Sequence, residues 1–409
     1  MGAARAYRFL LLAGALGGCA PTLAPAFEPA LEFGLPEPDA VEAVVILVGD
    51  AGAAGDGTSP LLADLAARVE HWGDRLEGDS AVTVAFLGDN VYPLGVRDRG
   101  HRKFPEDSVR LWSQIATLDG PVARAGGAQG LFLPGNHDWG ESTDEAGLVR
   151  LLNQSEMLAA ARGDGTPVRM APEAVGPGPD VVDVGSALRL ISIDTQWYLQ
   201  SRDDVARGAL LGRVGDAMAD GGDRHIVILA HHPFQSAGPH GLLMQKGKAL
   251  GIPYLMRKSG SLIQDRNAAP YRDLLSRLRT LFRDVGRPPL AIAGGHDHSL
   301  QVLDPEGPDE PRTILVSGAG SKITEVAESD LLRYASSTPG YMMLVLRRTG
   351  AVDLFVLAAA SRAPLCPPTP ESERVACMAS DPVALDVVYS ERLARSSPPS
   401  PGGFRPLPD

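Results

Sequence analysis

Residues 43–50 read Ala-Val-Val-Ile-Leu-Val-Gly-Asp, an apolar run of strand length that ends in a glycine and a carboxylate. Branched side chains fill the run, and a residue that favours turns follows it. The stretch therefore predicts a strand, then a sharp turn that carries Asp50.

Similar apolar runs recur along the chain, each rich in branched residues and bounded by turn formers: 82–87, 131–133, 188–193, 226–230, 290–293, 314–316, 341–346 and 352–357. Helix-like stretches lie between several of them: 60–72, 109–116, 147–161 and 270–284. Strands that alternate with helices predict a layered α/β domain, which we place at residues 43–360.

Side chains of the metal-binding type follow five of these runs within a few residues. In chain order they are Asp50, then Asp89 with Tyr92, then Asn136 with His137, then His231, and last His296 with His298. Open α/β sheets bind ligands at the carboxyl ends of their strands, so five such loops can converge on one site. A single coincidence of this kind would mean little, but five of them predict a shared site.

The side-chain types suit two adjacent metal ions. Carboxylate, amide and phenol oxygens combine with imidazole nitrogens, a mixture that suits zinc, iron or manganese. The set contains no thiolate, which excludes a soft copper or an iron–sulfur centre. A carboxylate can bridge two ions about 3.5 Å apart, and Asp89 is the candidate bridge.

The five blocks resemble the calcineurin-like metallophosphoesterase superfamily and, within it, the small purple acid phosphatases of the tartrate-resistant type. Gly52 stands where general members carry a histidine, and Tyr92 follows Asp89 by three residues, as in the purple enzymes. The flanking stretches 87–90, 233–241, 298–301 and 317–320 agree with this branch. The resemblance covers roughly residues 43–358. It implies a four-layer α-β-β-α sandwich with metal ligands on loops at the C-terminal ends of strands.

The resemblance also implies a ligand set for each metal: Asp50, Asp89, Tyr92 and His298 for the first, and Asp89, Asn136, His231 and His296 for the second. A phenol with a pKa near 10 ionises at neutral pH only against a strongly acidic cation, which favours Fe(III) beside Tyr92. The second ion would be Fe(II), Zn or Mn. The charge of Fe(III) and a divalent ion exceeds that of two carboxylates and one phenolate by about +2, and this excess can hold a phosphate dianion.

The implied reaction is the hydrolysis of phosphate monoesters, with in-line attack by a hydroxide that the metals activate. His137 and His240 resemble the family's histidines that hydrogen-bond the phosphate or protonate the leaving alkoxide, so we expect both to be catalytic. Two departures lie on the predicted substrate side. Trp139 stands where small purple phosphatases often carry a histidine, and segment 238–267 is enlarged, as in a lid or substrate wall.

Two rival functions use the same features. A phosphodiesterase or nucleotide hydrolase could share the centre, because one metal pair can attack either ester. A catalytically silent surface lipoprotein could keep the fold as a binding module, although the intact ligand set argues against it. Among the neighbouring residues, we expect His232 to have a supporting role. Asp138 and Asp297 either orient the histidines or lie exposed. Trp139 either packs in the interior or faces the substrate.

The first 18 residues predict an export signal. Arg5 and Arg8 precede the apolar run 9–16, which is too short to span a bilayer. Leu16-Gly17-Gly18-Cys19 resembles the lipobox of bacterial lipoproteins, in which the cysteine becomes the lipidated first residue. Ala20 is not the aspartate of inner-membrane retention, so we expect an exported protein anchored to a bacterial outer membrane. An ordinary cleaved signal is the alternative.

Proline-rich segments flank the domain. Residues 19–42 predict a tether, and residues 361–409 a C-terminal extension rich in proline and serine. Cys366 and Cys377 lie in this extension and form either a short-loop disulfide or two free thiols.

The overall charge restricts the partners. The 409 residues include 38 basic and 50 acidic side chains, a net charge of −12. Nucleic acid is therefore not expected as a partner, because duplex binding relies on a basic footprint. A phosphate ester can still bind where metal ions supply local positive charge.

Overall fold

The computed structural model describes residues 27–53, 59–173, 176–239, 266–359, 374–375 and 385–395. Several predictions fall outside these ranges: lipidation of Cys19, a catalytic role for His240, the state of Cys366 and Cys377, and most of the expected substrate wall.

The elements are numbered in chain order. The strands are β1 (Ala30–Leu31), β2 (Val41–Val48), β3 (Val82–Phe86), β4 (Ala128–Phe132), β5 (Val168–Met170), β6 (Asp180–Val184), β7 (Leu188–Ser192), β8 (His225–Leu229), β9 (Ala291–Gly294), β10 (Leu300–Leu303), β11 (Ile314–Ser317), β12 (Lys322–Ile323), β13 (Leu332–Ser336), β14 (Gly340–Arg347), β15 (Val352–Ala358), β16 (Arg374–Val375) and β17 (Asp386–Ala394). The helices are α1 (Pro60–Gly73), α2 (Phe104–Ile115), α3 (Glu145–Gly163), α4 (Thr195–Gln200), α5 (Asp204–Ala219) and α6 (Ala269–Val285).

Two large sheets organise the fold. The first has the strand order β1-β17-β15-β14-β2-β3-β4-β5, and the second has the order β13-β10-β11-β9-β8-β7-β6. Strands β2 to β5 run parallel to one another, as do β7, β8, β9 and β11. The parallel block of each sheet therefore presents its carboxyl ends together.

Strand β2 shows why the deciding run of the sequence is apolar without interruption. Val44, Ile46 and Val48 pack in the core between the first sheet and its helices. Val45 and Leu47, which point the other way, pack in the core between the two sheets. A parallel strand that is buried on both faces reads as a continuous apolar run.

Helices cover the outer face of each sheet. Helices α1, α2 and α3 contribute to the core of the first sheet, and α4, α5 and α6 contribute to a separate core on the second. In α1, Leu61, Leu65, Val69 and Trp72 are buried at helical spacing, and Ser59 caps the helix by accepting from the backbone N of Leu62 at 3.3 Å. The expected four-layer α-β-β-α sandwich is confirmed.

Some elements differ from the predictions. Helix α2 begins at Phe104, five residues earlier than predicted, because Pro105 is suited to a first helical turn and Glu106 and Asp107 follow it. Helix α5 was not predicted, since four of its buried positions are spaced among glycine and alanine residues that obscure the apolar stripe.

The first sheet also extends beyond the predicted limits of 43–360. Strand β1 lies in the predicted tether and β17 in the predicted extension, yet both belong to the sheet. The Ser390 hydroxyl donates to the backbone O of Phe33 at 2.6 Å and accepts from its backbone N at 3.0 Å, which joins the two segments. Across the described ranges, no helix has both the length and the apolar character needed to cross a bilayer.

Candidate metal centre

The carboxyl ends of five parallel strands carry the predicted site residues. Loops after β2, β3 and β4 supply Asp50, Asp89, Tyr92 and Asn136 from the first sheet, and loops after β8 and β9 supply His231, His296 and His298 from the second. All seven side chains are buried. The structure brings them together at one end of the sandwich.

Tyr92, Asp50 and His298 form one donor group. The Tyr92 hydroxyl donates to Asp50 Oδ1 at 2.8 Å and lies 3.2 Å from His298 Nε2. The distance from His298 Nε2 to Asp50 Oδ1 is 3.6 Å. Three loops therefore place a phenol, a carboxylate and an imidazole around a common point.

Asn136, His231, His296 and Asp89 form a second donor group. Asn136 Oδ1 lies 2.8 Å from His231 Nε2 and 3.1 Å from His296 Nδ1. His231 Nε2 is also 3.4 Å from Asp89 Oδ1. Two imidazole nitrogens, an amide oxygen and a carboxylate thus face one another.

Asp89 lies between the two groups. Its Oδ1 is 3.4 Å from His231 Nε2 in the second group, and its charge helps to raise the pKa of Tyr92 in the first. Ligand atoms of Asp50, Asp89 and His231 all lie within 4.8 Å of one another. The arrangement suits a carboxylate that would touch two ions.

Backbone conformation brings these side chains close. Asp50, Asp89 and His296 have φ angles of 59°, 56° and 67°, a left-handed region that non-glycine residues seldom adopt. A Cβ atom at Gly135 would overlap the backbone N and Oδ1 of Asp89. The glycine before Asn136 is therefore needed for the loops after β3 and β4 to approach each other.

Burial and mutual repulsion oppose ionisation of two acidic groups in the site. Burial and the Asp89 carboxylate raise the pKa of Asp50 well above its usual value. Burial also acts to raise the pKa of Asp89, but the charges of His231 and His137 outweigh it and lower that pKa. Burial, Asp50 and Asp89 raise the pKa of the Tyr92 phenol well above 10. A cation placed among these groups would oppose the raised pKa values and favour the ionised forms of Asp50 and Tyr92.

The donor chemistry fits two cations. Three imidazoles, two carboxylates, an amide oxygen and a phenol converge, which matches the ligand preferences of zinc, iron and manganese. The first donor group would hold one ion and the second the other, with Asp89 available to both.

His137 lies at the rim of this centre. Its Nδ1 is 2.7 Å from the backbone O of Pro93 and 3.2 Å from Glu141 Oε1, while its Nε2 is 3.9 Å from Asp89 Oδ2. The side chain is 23% exposed, so it can meet a molecule from solvent. His240, its predicted companion, lies outside the described residues.

Asp138 and Asp297 are buried, so the alternative that they lie exposed is wrong. The Asp138 carboxylate accepts from the backbone N atoms of Gly135, Asn90 and Val91 at 2.8 to 3.2 Å. Burial and the charge of Asp89 raise its pKa to about 8. Asp138 therefore holds the loops after β3 and β4 together and does not orient a histidine through these bonds.

Trp139 is 4% exposed and cannot act as an open substrate platform. Its Nε1 donates to Asp194 Oδ2 at 2.8 Å, and Asp194 Oδ1 accepts from the backbone N of Trp197, where it caps α4. The adjacent Thr195 hydroxyl lies 2.9 Å from His232 Nδ1. Ligand atoms of His231, His232 and His296 also lie within 4.8 Å of one another, so the supporting role of His232 stays a prediction.

The sequence analysis missed three residues beside the centre. Asp194 follows the carboxyl end of β7, the same signal that identified the other loops. Glu141 contacts Asn136 and His137, and Lys322 Nζ lies 3.8 Å from the centroid of the Tyr92 ring. Neither Glu141 nor Lys322 belongs to a recognisable motif, so no sequence signal pointed to them.

The sequence matches no protein-family model and no curated protein. Among solved structures, PhoD aligns with a TM-score of 0.50 at 11% identity, over 88% of this chain and 73% of PhoD. GAP50, the anchor in the inner membrane complex of Plasmodium, gives a TM-score of 0.49 at 14% identity, covering 88% and 90% of the two chains. The purple acid phosphatase PPD1 from yellow lupin (Lupinus luteus) seeds gives 0.46 at 13% identity, covering 77% and 51%. The similarity to PhoD shows that the two chains share a fold, the sandwich of two sheets covered by helices described above.

Proposed function

We propose that this protein hydrolyses phosphate monoesters at a dinuclear metal centre. The observation that carries the proposal is the meeting of two donor groups, Asp50–Tyr92–His298 and Asn136–His231–His296, at the single carboxylate of Asp89. One ion would need only one such group. Two groups that share a carboxylate are typical of metal pairs that act on phosphoryl oxygens.

Bound cations would supply the Lewis acidity that activates water and neutralises charge on the phosphoryl group. Asp50, Tyr92 and His298 would hold the first ion, and Asn136, His231 and His296 the second, with Asp89 shared between them. Because burial and two carboxylates oppose ionisation of Tyr92, only a strongly acidic cation would draw out its phenolate. We therefore assign Fe(III) to the first position and Fe(II), Zn or Mn to the second.

His137 would interact with the substrate. Its Nδ1 faces two oxygen acceptors, Pro93 O and Glu141 Oε1, so this nitrogen carries a proton. Its Nε2 lies on the side of Asp89, and as the imidazolium, with a second proton on Nε2, the ring would hydrogen-bond a phosphoryl oxygen or give that proton to the leaving alkoxide. His240 enters the proposal as a second such group from the sequence resemblance alone.

The site would attract an anion despite the net charge of −12. Two metal ions exceed the charge of the two carboxylates and the phenolate by about +2. Lys322, whose Nζ lies 3.8 Å from the centroid of the Tyr92 ring, adds a further positive group. A phosphate dianion would meet a local field opposite to that of the whole chain.

The proposal includes a location. The lipobox-like stretch that ends at Cys19 supports export and lipid anchoring, with an outer membrane favoured by Ala20. An enzyme placed there would act on phosphate esters outside the cytoplasm, at the surface to which its lipid attaches.

Metal analysis and two model esters test the proposal together. We expect two metal equivalents per chain and faster hydrolysis of p-nitrophenyl phosphate than of bis(p-nitrophenyl) phosphate. Faster hydrolysis of the bis-ester would instead favour the phosphodiesterase alternative. Protein that holds two equivalents but cleaves neither ester, nor any other phosphoester tried, would indicate a binding module and contradict the enzymatic proposal.

A further inference from the structure

One carboxylate oxygen contacts both a candidate metal ligand and the candidate catalytic histidine. Glu141 Oε1 lies 3.1 Å from Asn136 Nδ2 and 3.2 Å from His137 Nδ1. Glu141 comes five residues after Asn136 and is outside the five blocks that identified the centre. Its side chain is 43% exposed, so it lies at the mouth of the site and not in the core.

The contact with Asn136 determines which end of the amide faces the centre. An ionised carboxylate only accepts hydrogen bonds, so only the NH₂ end of the amide can bind Glu141. The oxygen end then faces His231 Nε2 and His296 Nδ1, at 2.8 and 3.1 Å. Rotation of the amide by 180° would turn two N–H donors toward the place of a cation and remove a ligand oxygen.

The contact with His137 determines the direction of its ring. Glu141 Oε1 and Pro93 O both approach Nδ1. With Nδ1 held on that side, Nε2 lies on the side of Asp89. Glu141 thus acts on the metal ligand and on the group that faces substrate through the same oxygen.

The backbone of Glu141 is held in the conformation that these contacts need. Its φ is 69°, in the left-handed region that glutamate seldom adopts. The backbone N of Glu141 donates to Asn136 O at 2.8 Å, and Gln200 Nε2 donates to Glu141 O at 2.8 Å. A turn fixed from both ends therefore returns the carboxylate to Asn136, and such strained positions cluster at functional sites.

We propose that Glu141 is a positioning residue, which holds the Asn136 oxygen toward the second metal and the His137 ring toward the substrate. The inference rests on the proposed function, because it assumes a metal in the second donor group. Groups that hydrogen-bond a metal ligand from behind commonly change metal affinity about 10–100-fold when they are removed. The exposure of Glu141 favours the lower end of that range.

The test compares three full-length variants with the wild type by competition for Zn²⁺ against a chromophoric chelator. Glu141→Ala removes the acceptor, whereas Glu141→Gln keeps an acceptor oxygen at the same position. Glu145→Ala, at the exposed first residue of α3, is the matched control. We expect Glu141→Ala to bind one Zn²⁺ equivalent, the one held by the second donor group, about tenfold less tightly. In Glu141→Ala the affinity for the other equivalent should stay within about twofold of the wild type. In Glu141→Gln and Glu145→Ala the affinities for both equivalents should stay within about twofold.

Thermal unfolding of the same proteins without metal separates positioning from folding. Unchanged melting together with selective loss of one equivalent supports the inference. Equal weakening of both equivalents, a loss that Gln does not restore, or an Ala variant that binds like the wild type would each overturn it. A wild type that binds no metal but folds would instead contradict the proposed function, on which the inference depends.

Discussion

The indole of Trp139 and the carboxylate of Asp194 are joined by a hydrogen bond of 2.8 Å that crosses from one sheet to the other. Trp139 lies in the loop after β4 of the first sheet, and Asp194 follows β7 of the second. Both residues are buried, so the bond is shielded from water. It ties the loop that carries Asn136 to the opposite half of the sandwich.

Trp139→Phe should lower the free energy of unfolding by about 1–3 kcal/mol, because Asp194 loses a buried donor. Urea unfolding measures this. The exposed Trp112→Phe is the control and should change stability by less than about 0.5 kcal/mol. If the hydrogen bond is responsible, Trp139→Phe and Asp194→Asn should cost less together than the sum of their separate effects. Strict additivity would show that the two side chains act independently.

Asp194 should give the protein a pH-dependent stability. Burial raises its pKa to about 7, so the folded state keeps a proton that the unfolded chain loses near pH 4. The free energy of unfolding should therefore fall as pH rises from about 4 to about 7, by up to about 1.4 kcal/mol per pH unit.

The comparison of wild type with Asp194→Asn isolates this residue from other buried acids that titrate in the same range. Relative to the wild type, the variant should gain stability as pH rises across the window, since it has no proton to lose at this position. Denaturant unfolding at pH 4, 5.5 and 7 measures the difference. Parallel curves for the two proteins would mean that the pKa of Asp194 is the same in the folded and unfolded states.

Asp89→Ala should abolish the binding of both metal equivalents, because its carboxylate lies within 4.8 Å of ligand atoms of both donor groups. Asn136→Ala should mainly weaken the second, since the Asn136 oxygen faces only His231 and His296. Elemental analysis after equilibrium dialysis reports both values. Identical losses in the two variants would rule out a bridging role for Asp89.

Tyr92→Phe should remove the visible absorption band that a phenolate gives on iron. The Tyr92 hydroxyl lies 2.8 Å from Asp50 Oδ1, and both oxygens belong to the donor group that would hold the first ion. The variant keeps the ring and should still fold, with a loss of about 1–3 kcal/mol because Asp50 loses a buried donor. The measurement is an absorption spectrum of iron-loaded protein, and a wild type that is colourless yet fully active would refute coordination of Fe(III) by this tyrosine.

Cys19→Ser should release the protein from membranes, because the lipobox-like stretch would lose its only acceptor for lipid. Fractionation of cells that express the variant or the wild type measures how much of each protein stays with the membranes. If the variant stays in the membrane fraction, the attachment is not through Cys19.

The parts of the site that sequence could predict are those that follow from strand ends. Asp50, Asp89, Asn136, His231 and His296 each follow a buried apolar run, and parallel strands bring their carboxyl ends to one edge. The strands themselves were recognisable because burial on both faces leaves little choice but aliphatic side chains.

Other parts depend on contacts between distant segments and leave no local pattern. Strand β17 lies in sequence next to proline- and serine-rich stretches, and it belongs to the sheet because it pairs with β15. Glu141 is an ordinary exposed glutamate in sequence, and its relation to Asn136 arises from a left-handed turn. Trp139 is likewise assigned to the interior by a partner 55 residues away.

The division of the donors between the sheets has a mechanical consequence. Asp50 and Asn136 come from one sheet, and His231 and His296 come from the other. Any ion held among them would therefore also link the two sheets. Metal binding would then stabilise the association of the two sheets by mass action, and tighter binding would make this end of the molecule harder to open. Chelation would loosen the protein at the place where chemistry requires the greatest rigidity.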